Sequence, residues 1–158
     1  MTSARIITYA EAYSFLRALG IPEDAVKLAD ETFALPTRDW VQRFAEPFTR
    51  LVENLGASGW VEQVFDCENH ALRAALWVTD CHRATYEAHA APKAGIAFGE
   101  LWIGSWGHAI NFAIHELPIG SLDFQAYEPQ LTGPRQIAFA PRVLTPDDFQ
   151  TVQLAKLQ

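Results

Sequence analysis

The chain has 158 residues, of which 49% are hydrophobic and 20% are charged, so it has enough apolar side-chain volume for one globular domain and does not have the composition of a disordered segment. Twelve Lys and Arg residues stand against 19 Asp and Glu residues, which gives a formal net charge of −7. A negative charge of this size repels phosphate backbones and anionic lipids, and therefore disfavours nucleic acid and membrane surfaces as partners.

The cysteine content and the N-terminus favour an intracellular compartment. Cys67 and Cys81 are too few for a secreted disulfide framework, so both are interpreted as thiols. Glu11 and Arg17 interrupt the N-terminal region before any apolar block of signal-peptide length is reached. We therefore expect a soluble, cytoplasmic protein.

The first 56 residues are predicted to form a helical N-terminal part. Thr8 and Glu11 have the spacing of a capping box and predict a helix over about 10–19, which Gly20 ends. Proline and two acidic residues at 22–24 predict a second helix that continues to about Phe33.

A third helical stretch is predicted between Thr37, which can cap it, and Gly56, which ends it. Apolar residues recur there at intervals of three and four, and Pro47 is expected to kink or divide the helix. The periodic residues are Trp40, Val41, Phe44, Phe48, Leu51, Val52 and Leu55.

Residues 57–142 are predicted to hold one buried helix followed by a small antiparallel sheet. The apolar run over about 66–79 predicts the helix, with Cys67 in its first turn. Short segments rich in β-branched and aromatic residues, separated by glycine and proline, then predict three or four strands. These segments are 96–103, 108–114, 122–127 and 136–139.

The last part, 143–158, is predicted to be a C-terminal helix that opens at residues 145–148 and turns Phe149, Val152 and Leu157 inward. Helices followed by a sheet and one further helix indicate the α+β class. We expect a single domain over 1–158.

Three residues in the middle of the chain point to nucleophilic catalysis. A thiol at a helix N-terminus, as predicted for Cys67, lies at the positive end of the helix dipole, which favours the nucleophilic thiolate. The alternative interpretation is a buried structural thiol, and the flanking acids Asp66 and Glu68 oppose the thiolate form. His108 begins a predicted strand and Glu128 ends the next one. Taken alone, His108 fits a histidine of the core, and Glu128 fits a solvated acid at a strand end. Together the three have the parts of a cysteine hydrolase, namely a nucleophile, a base and a group that orients the base.

Four short motifs surround the three candidate residues. They are FDCENHA at 65–71, GELW at 99–102, GHAINF at 107–112 and YEPQ at 127–130. This series resembles that of the papain-like cysteine protease family that includes the C-terminal domain of the fairy-ring mushroom agglutinin and small phage and bacterial proteins. The resemblance covers about residues 58–140.

The resemblance implies a papain-like fold with the nucleophile at a helix N-terminus and a catalytic triad of Cys67, His108 and Glu128. It also implies that Trp60, seven residues before the cysteine, gates the cleft. Gln63 is a candidate oxyanion donor beside the Cys67 amide. Asn111 and Gln130 fall within the matching motifs and are candidate cleft residues.

Members of that family are activated by calcium or manganese, so the resemblance implies one of these ions here. Asp66, Glu68 and Asn69 are the candidate ligands. An ion held by these oxygens would also offset the negative charge beside the thiol.

The sequence therefore predicts a cysteine hydrolase, in the first place a divalent-cation-activated peptidase that acts on a polypeptide substrate. Two alternatives stay open. One is a non-catalytic binding module that keeps the fold and engages a protein partner, such as a phage or prophage accessory protein. The other is transglutaminase-like or amidase chemistry, which shares the acyl-enzyme step.

Overall fold

The structure, a computed structural model, describes residues 5–56, 66–89, 93–130 and 138–158. Helices and strands are interleaved along these residues rather than separated into two blocks. In chain order they are β1 (Ile6–Thr8), α1 (Tyr9–Ala18), a 3-10 turn (Glu23–Ala25), β2 (Val26–Leu28), β3 (Thr32–Ala34), α2 (Arg38–Gln42), α3 (Ala45–Asn54), α4 (Cys67–His89), β4 (Gly95–Ile96), β5 (Phe98–Ile103), β6 (His108–Glu116), β7 (Leu122–Glu128), β8 (Ala140–Arg142), α5 (Pro146–Gln150) and β9 (Val152–Leu157).

Two sheets organise the described residues. The larger sheet has six strands in the order β2-β9-β5-β6-β7-β8, in which β2 and β9 are parallel and the other neighbours are antiparallel. The smaller sheet has the order β1-β3-β4. The α+β class is confirmed, but the sheet is larger than the three or four strands predicted and it is mixed rather than wholly antiparallel.

The first predicted helix is confirmed as α1. The Thr8 hydroxyl accepts a hydrogen bond from the Glu11 amide at 3.2 Å, and Glu11 Oε2 accepts one from the Thr8 amide at 2.8 Å. These reciprocal bonds satisfy backbone donors that have no partner inside the helix. The helix ends just before Gly20, whose φ of 96° suits a glycine.

The second predicted helix, over 22–33, is wrong. Glu23 and Asp24 open only a 3-10 turn, after which the chain enters β2 and β3. Val26 lies beside Ala155 of β9, and Phe33 lies beside Ile7 of β1. These pairings with distant parts of the chain outweigh a weak local preference for helix.

The third predicted stretch is confirmed as two helices, with the break upstream of the proline. Thr37 caps α2 by accepting a hydrogen bond from the Trp40 amide at 3.1 Å. The helix stops at Gln42, and α3 starts at Ala45, so Pro47 lies in the first turn of α3. A proline costs little there because first-turn amides have no partner in the helix.

The helix that carries the candidate cysteine begins where the sequence predicts, and it continues to His89 instead of about residue 79. Strands β5, β6 and β7 correspond to the first three predicted strands. Of the fourth, over 136–139, the first two residues lie outside the described residues and the last two are not in a strand, and β8 follows at Ala140.

The prediction of a C-terminal helix over 143–158 is mostly wrong. Helix α5 begins where predicted, with Thr145 as its cap, but it ends at Gln150, and Val152 and Leu157 belong to strand β9. Strand β9 lies inside the main sheet between β2 and β5. Its Val152 and Leu157 are buried, as predicted, but they pack in an apolar core as residues of a strand.

The main sheet separates two apolar cores. On one side, Leu16 of α1 packs in the same cluster as Ile110 and Phe112 of β6. On the other side, Phe48 of α3 and Val78 of α4 pack in a second cluster that includes Ala113, Phe98 and Tyr127. Successive side chains of β6 point into the two cores in turn, because side chains alternate between the faces of a pleated strand. Helix α4 is thereby held against the sheet face that carries the even-numbered residues of β5.

Within the described ranges, no helix has both the length and the apolar character needed to cross a membrane.

Candidate active site

His108 and Glu128 form a close pair on neighbouring strands. Strand β6 begins at His108 and β7 ends at Glu128, and the two strands are antiparallel, so the start of one lies beside the end of the other. The Nε2 atom of His108 lies 2.9 Å from Oε2 of Glu128. The Glu128 side chain is 8% exposed and that of His108 is 24% exposed. The structure thus brings together two of the three residues of the predicted triad.

The main chain around Glu128 holds its carboxylate in place. The amide of Gln130 donates to Glu128 Oε1 at 3.2 Å, and Pro129 between them has no amide donor of its own. On the strand side, the amide of Phe139 donates to the Glu128 carbonyl at 2.7 Å. Gln130 therefore contributes to the site through its main chain, and both oxygens of the carboxylate have a partner.

Phe139, which holds the main chain at Glu128, has an unusual conformation. It is fully buried and has a φ of 63°, in the left-handed region that bulky side chains seldom adopt. Its carbonyl accepts a hydrogen bond from Gln42 Nε2 at 3.0 Å. Such conformations persist where surrounding contacts over-determine them, and they concentrate at functional sites.

Cys67 is the first residue of α4, and its side chain is half-buried. The preceding turn is fixed by the Asp66 amide, which donates to Asn69 Oδ1 at 3.2 Å, and by the Asp66 carbonyl, which accepts from the His70 amide at 3.1 Å. The thiol therefore lies at the positive end of a long helix. Over the part of the chain that the structure describes, Cys67 makes no hydrogen bond with the His108 ring.

Asn111 ties the cysteine helix to the histidine strand. Its Nδ2 donates to the carbonyl of Ala71, one turn into α4 from Cys67, at 2.9 Å. The same group donates to the Gly99 carbonyl of β5 at 3.0 Å. Asn111 is fully buried, three residues along β6 from His108. With both Nδ2 hydrogens in use, it has no side-chain donor left for the cleft role that the sequence suggests, and it acts as a tether.

The turn before His108 is anchored to α5 by a residue that the sequence analysis did not select. Asp148 Oδ1 accepts hydrogen bonds from Trp106 Nε1 at 2.8 Å and from the Ser105 hydroxyl at 3.2 Å. Its Oδ2 caps α5 through the Thr145 amide at 2.8 Å, and this bond lowers the pKa of Asp148. The capping role was readable from the sequence, whereas the contact with Trp106 depends on the fold.

The three predicted metal ligands lie at the start of α4. Asp66 Oδ1 is buried and has no hydrogen-bond partner within the described ranges, Glu68 is exposed, and Asn69 Oδ1 accepts from the Asp66 amide. Oxygen donors are the type that calcium and manganese take. The described residues nevertheless include no group of three or more His, Cys, Asp or Glu side chains placed to hold one ion. No step of the chemistry is assigned to a metal.

Two further predicted site residues, Trp60 and Gln63, lie outside the described residues.

Comparisons with known proteins add a likeness in fold. No family model matches the sequence, and no curated protein matches it. A solved structure described as "PSL1a-E64 complex" is similar, with a TM-score of 0.68 and 19% sequence identity over 96% of this chain and 50% of that chain. This chain thus spans about half the length of that structure. At this identity the likeness concerns the fold alone.

Proposed function

We propose that the chain is a cysteine hydrolase of the papain-like type, acting as a peptidase through Cys67, His108 and Glu128. The observation that carries this proposal is the hydrogen bond between His108 Nε2 and Glu128 Oε2, made by a carboxylate that is almost fully buried. A buried carboxylate on one ring nitrogen orients an imidazole and stabilises its protonated form, which is what a general base next to a thiol requires.

In the proposed reaction, each ring nitrogen of His108 has its own role. Nε2 faces Glu128, which leaves Nδ1 to take the proton from the Cys67 thiol. The thiolate then attacks the substrate carbonyl carbon and forms a C–S bond, and the main-chain amide of Cys67 stabilises the oxyanion. The proton on Nδ1 passes to the leaving amine as the C–N bond breaks. Water then hydrolyses the thioester: its hydroxyl group joins the acyl carbon to give the acid as the C–S bond breaks, and its proton passes through Nδ1 to sulfur.

The likeness in fold also supports the proposal. The similar structure is named as a complex with E64, an epoxide that alkylates nucleophilic thiols. We therefore expect E64 to modify Cys67 of this chain with one-to-one stoichiometry.

Cleavage of a peptide mixture, followed by mass spectrometry, tests the proposal. Cys67→Ala is expected to abolish cleavage, and Cys81→Ala is the matched control, since it removes the other thiol, in the middle of α4. Burial raises the pKa of Cys81, which favours its unreactive thiol form. Equal cleavage by wild type and Cys67→Ala would overturn the proposal.

Activation by calcium or manganese follows from the family resemblance and is tested in the same assay. Each ion is added to metal-free protein, and the rate is compared with that in a chelator. An increase that Asp66→Asn abolishes would assign the effect to the start of α4. Equal rates with and without ions would contradict activation by a metal.

One observation favours a second candidate function. The Cys67 thiol makes no hydrogen bond to His108 within the described structure, as in a fold that is retained for binding rather than catalysis. Such a module would bind a protein partner without cleaving it. Failure of E64 and of smaller alkylating reagents to modify Cys67 would favour this function.

A further inference from the structure

A cavity of about 210 Å³ lies beside the candidate active site, between the start of α4 and strands β5, β6 and β9. Two of its lining residues, Glu68 and Asn69, directly follow Cys67, and a third, Ala109, directly follows His108. A group bound in this cavity would therefore lie beside the start of the helix that carries the candidate nucleophile.

The size of the cavity suits part of a ligand. Pockets for whole drug-sized molecules measure roughly 300–1,000 Å³, so about 210 Å³ corresponds to a single long side chain. Its walls are largely apolar and fit the methylene groups of such a side chain. They are formed by Leu72, Trp102, Ala109 and Leu154.

Hydrogen-bond acceptors dominate the polar part of the lining. Glu100 is 15% exposed, and its Oε1 accepts from Gln158 Nε2 at 3.2 Å, while the nearest cation, Lys156 Nζ, is 3.9 Å away. Burial raises the pKa of Glu100 in spite of these two groups. Glu68 lines the exposed side of the cavity, so the charged side chains there are two carboxylates and one lysine.

A second buried acceptor lies next to Glu100. Asn111 is its direct cross-strand neighbour on the same face of the sheet. Side chains in such pairs are about 5 Å apart at Cβ. The Oδ1 atom of Asn111 is buried and has no hydrogen-bond partner among the described residues. Asn111 does not line the cavity, so the charged acceptors that a ligand could reach there are Glu100 and Glu68.

We infer that this cavity is the subsite for a lysine or arginine side chain of a polypeptide that binds along the start of α4. The apolar walls take the methylene stem, Glu100 takes the ammonium or guanidinium head, and Trp102 offers a ring face to the cation. That this polypeptide is a substrate rests on the function proposed above, whereas the recognition of a basic side chain does not require catalysis.

Binding to Cys67→Ala separates recognition from chemistry. Two blocked peptides that differ at one position, lysine or norleucine, are titrated into this variant by calorimetry. Norleucine keeps the methylene chain and lacks the ammonium group. The lysine peptide is expected to bind about tenfold more tightly, because a charge-assisted hydrogen bond to a shielded carboxylate is worth about one order of magnitude in affinity.

Glu100→Gln in the same background is expected to remove the preference, and Glu53→Gln, on the exposed surface of α3, is the matched control that keeps it. Leu72→Trp provides a second variant, since Leu72 is 41% exposed and a larger side chain there fills the cavity from outside. It is expected to weaken binding of both peptides, even if Glu100→Gln does not fold.

Equal affinity for the lysine and norleucine peptides would overturn the subsite, as would the absence of binding by either peptide at millimolar concentration. Stoichiometric binding of calcium or manganese that Glu100→Gln abolishes would also overturn it, because the carboxylates would then serve an ion. A retained lysine preference with an unreactive Cys67 in the wild type would refute the peptidase and keep the subsite.

Discussion

The imidazole of His108 and the carboxylate of Glu128 lie 2.9 Å apart where strand β6 begins and its antiparallel neighbour β7 ends, although the two residues are 20 positions apart in the sequence. The Gln130 amide holds the other carboxylate oxygen at 3.2 Å. Glu128 is thus fixed before any substrate arrives, which is the condition under which an electrostatic partner is most effective.

Glu128→Gln tests the role of this charge. The amide keeps the size of the side chain but removes the negative charge that stabilises the protonated imidazole, so kcat is expected to fall by about 10²–10⁴-fold. Steady-state kinetics on a cleaved peptide measure the loss. Glu116→Gln, at the other end of β6, is the control and should retain normal kcat. A kcat for Glu128→Gln within about twofold of wild type would show that the pair is structural only.

Asn111→Ala tests the tether between α4 and the sheet. The substitution removes two hydrogen bonds and leaves the carbonyls of Ala71 and Gly99 without these donors, so the free energy of unfolding should fall by about 2–4 kcal/mol. Urea denaturation measures it. Asn54→Ala, at the exposed end of α3, is expected to change stability by no more than about 0.5 kcal/mol. If the two variants are equally stable, Asn111 does not hold the helix.

Asp148→Ala tests the anchoring of the turn before His108. Without Oδ1, Trp106 and Ser105 lose a common acceptor, and a small displacement of His108 should lower kcat/KM by about tenfold or more. Tryptophan emission should shift as well, since the Trp106 Nε1 proton loses its partner. Asp147→Ala, one residue earlier in the same helical turn, is the comparison. Identical kinetics and emission in the two variants would contradict the anchoring role.

The buried His115 predicts a pH dependence of stability. Its Nδ1 lies 2.6 Å from the Pro36 carbonyl and its Nε2 lies 2.8 Å from the Tyr127 hydroxyl, which suits a neutral ring that donates to Pro36 and accepts from Tyr127. Burial lowers its pKa below the ordinary 6.5, and Arg38 adds to the shift, while the bond to Pro36 and the charge of Asp123 act in the opposite direction.

The sign follows from the lowered pKa. As the pH falls below about 6.5, the unfolded state takes up a proton before the folded state does. The free energy of unfolding should therefore decrease, by at most about 1.4 kcal/mol per pH unit for this group. Urea denaturation between about pH 7 and about pH 5 measures the slope. His115→Gln should show a shallower slope than wild type, and identical slopes would assign the pH dependence to other groups.

Local signals in the sequence predicted the elements that are stabilised locally. The capping boxes at Thr8 and Thr145 and the cap at Thr37 are satisfied within one turn, so their residue types suffice to locate three helix starts. Strand β2 was not predicted because its partner, β9, lies at the other end of the chain. Strand β9 was not predicted because it directly follows a capped helical turn. A register shift between β5 and β9 at Trp102 and Ile103 also interrupts the regular alternation of inward and outward side chains.

Some residues of the candidate site could be selected from the sequence, and others depend on the fold. His108 and Glu128 could be selected because each stands at the end of a clear strand pattern, and pairing of those strands brings them together. Glu100 gave no signal of its own, since its environment depends on Lys156 and Gln158 near the C-terminus. The anchoring of Trp106 by Asp148 likewise depends on two segments more than forty residues apart in the sequence.

The rate at which iodoacetamide modifies Cys67, compared between wild type and His108→Ala near neutral pH, tests the central claim most directly. Mass spectrometry follows Cys67 and Cys81 in the same sample, so Cys81 reports any general change in accessibility. We expect Cys67 to react much faster than Cys81 in the wild type, and His108→Ala to slow the reaction of Cys67 without affecting that of Cys81. Slow modification of Cys67 in both proteins would contradict a thiolate activated by the His108 and Glu128 pair.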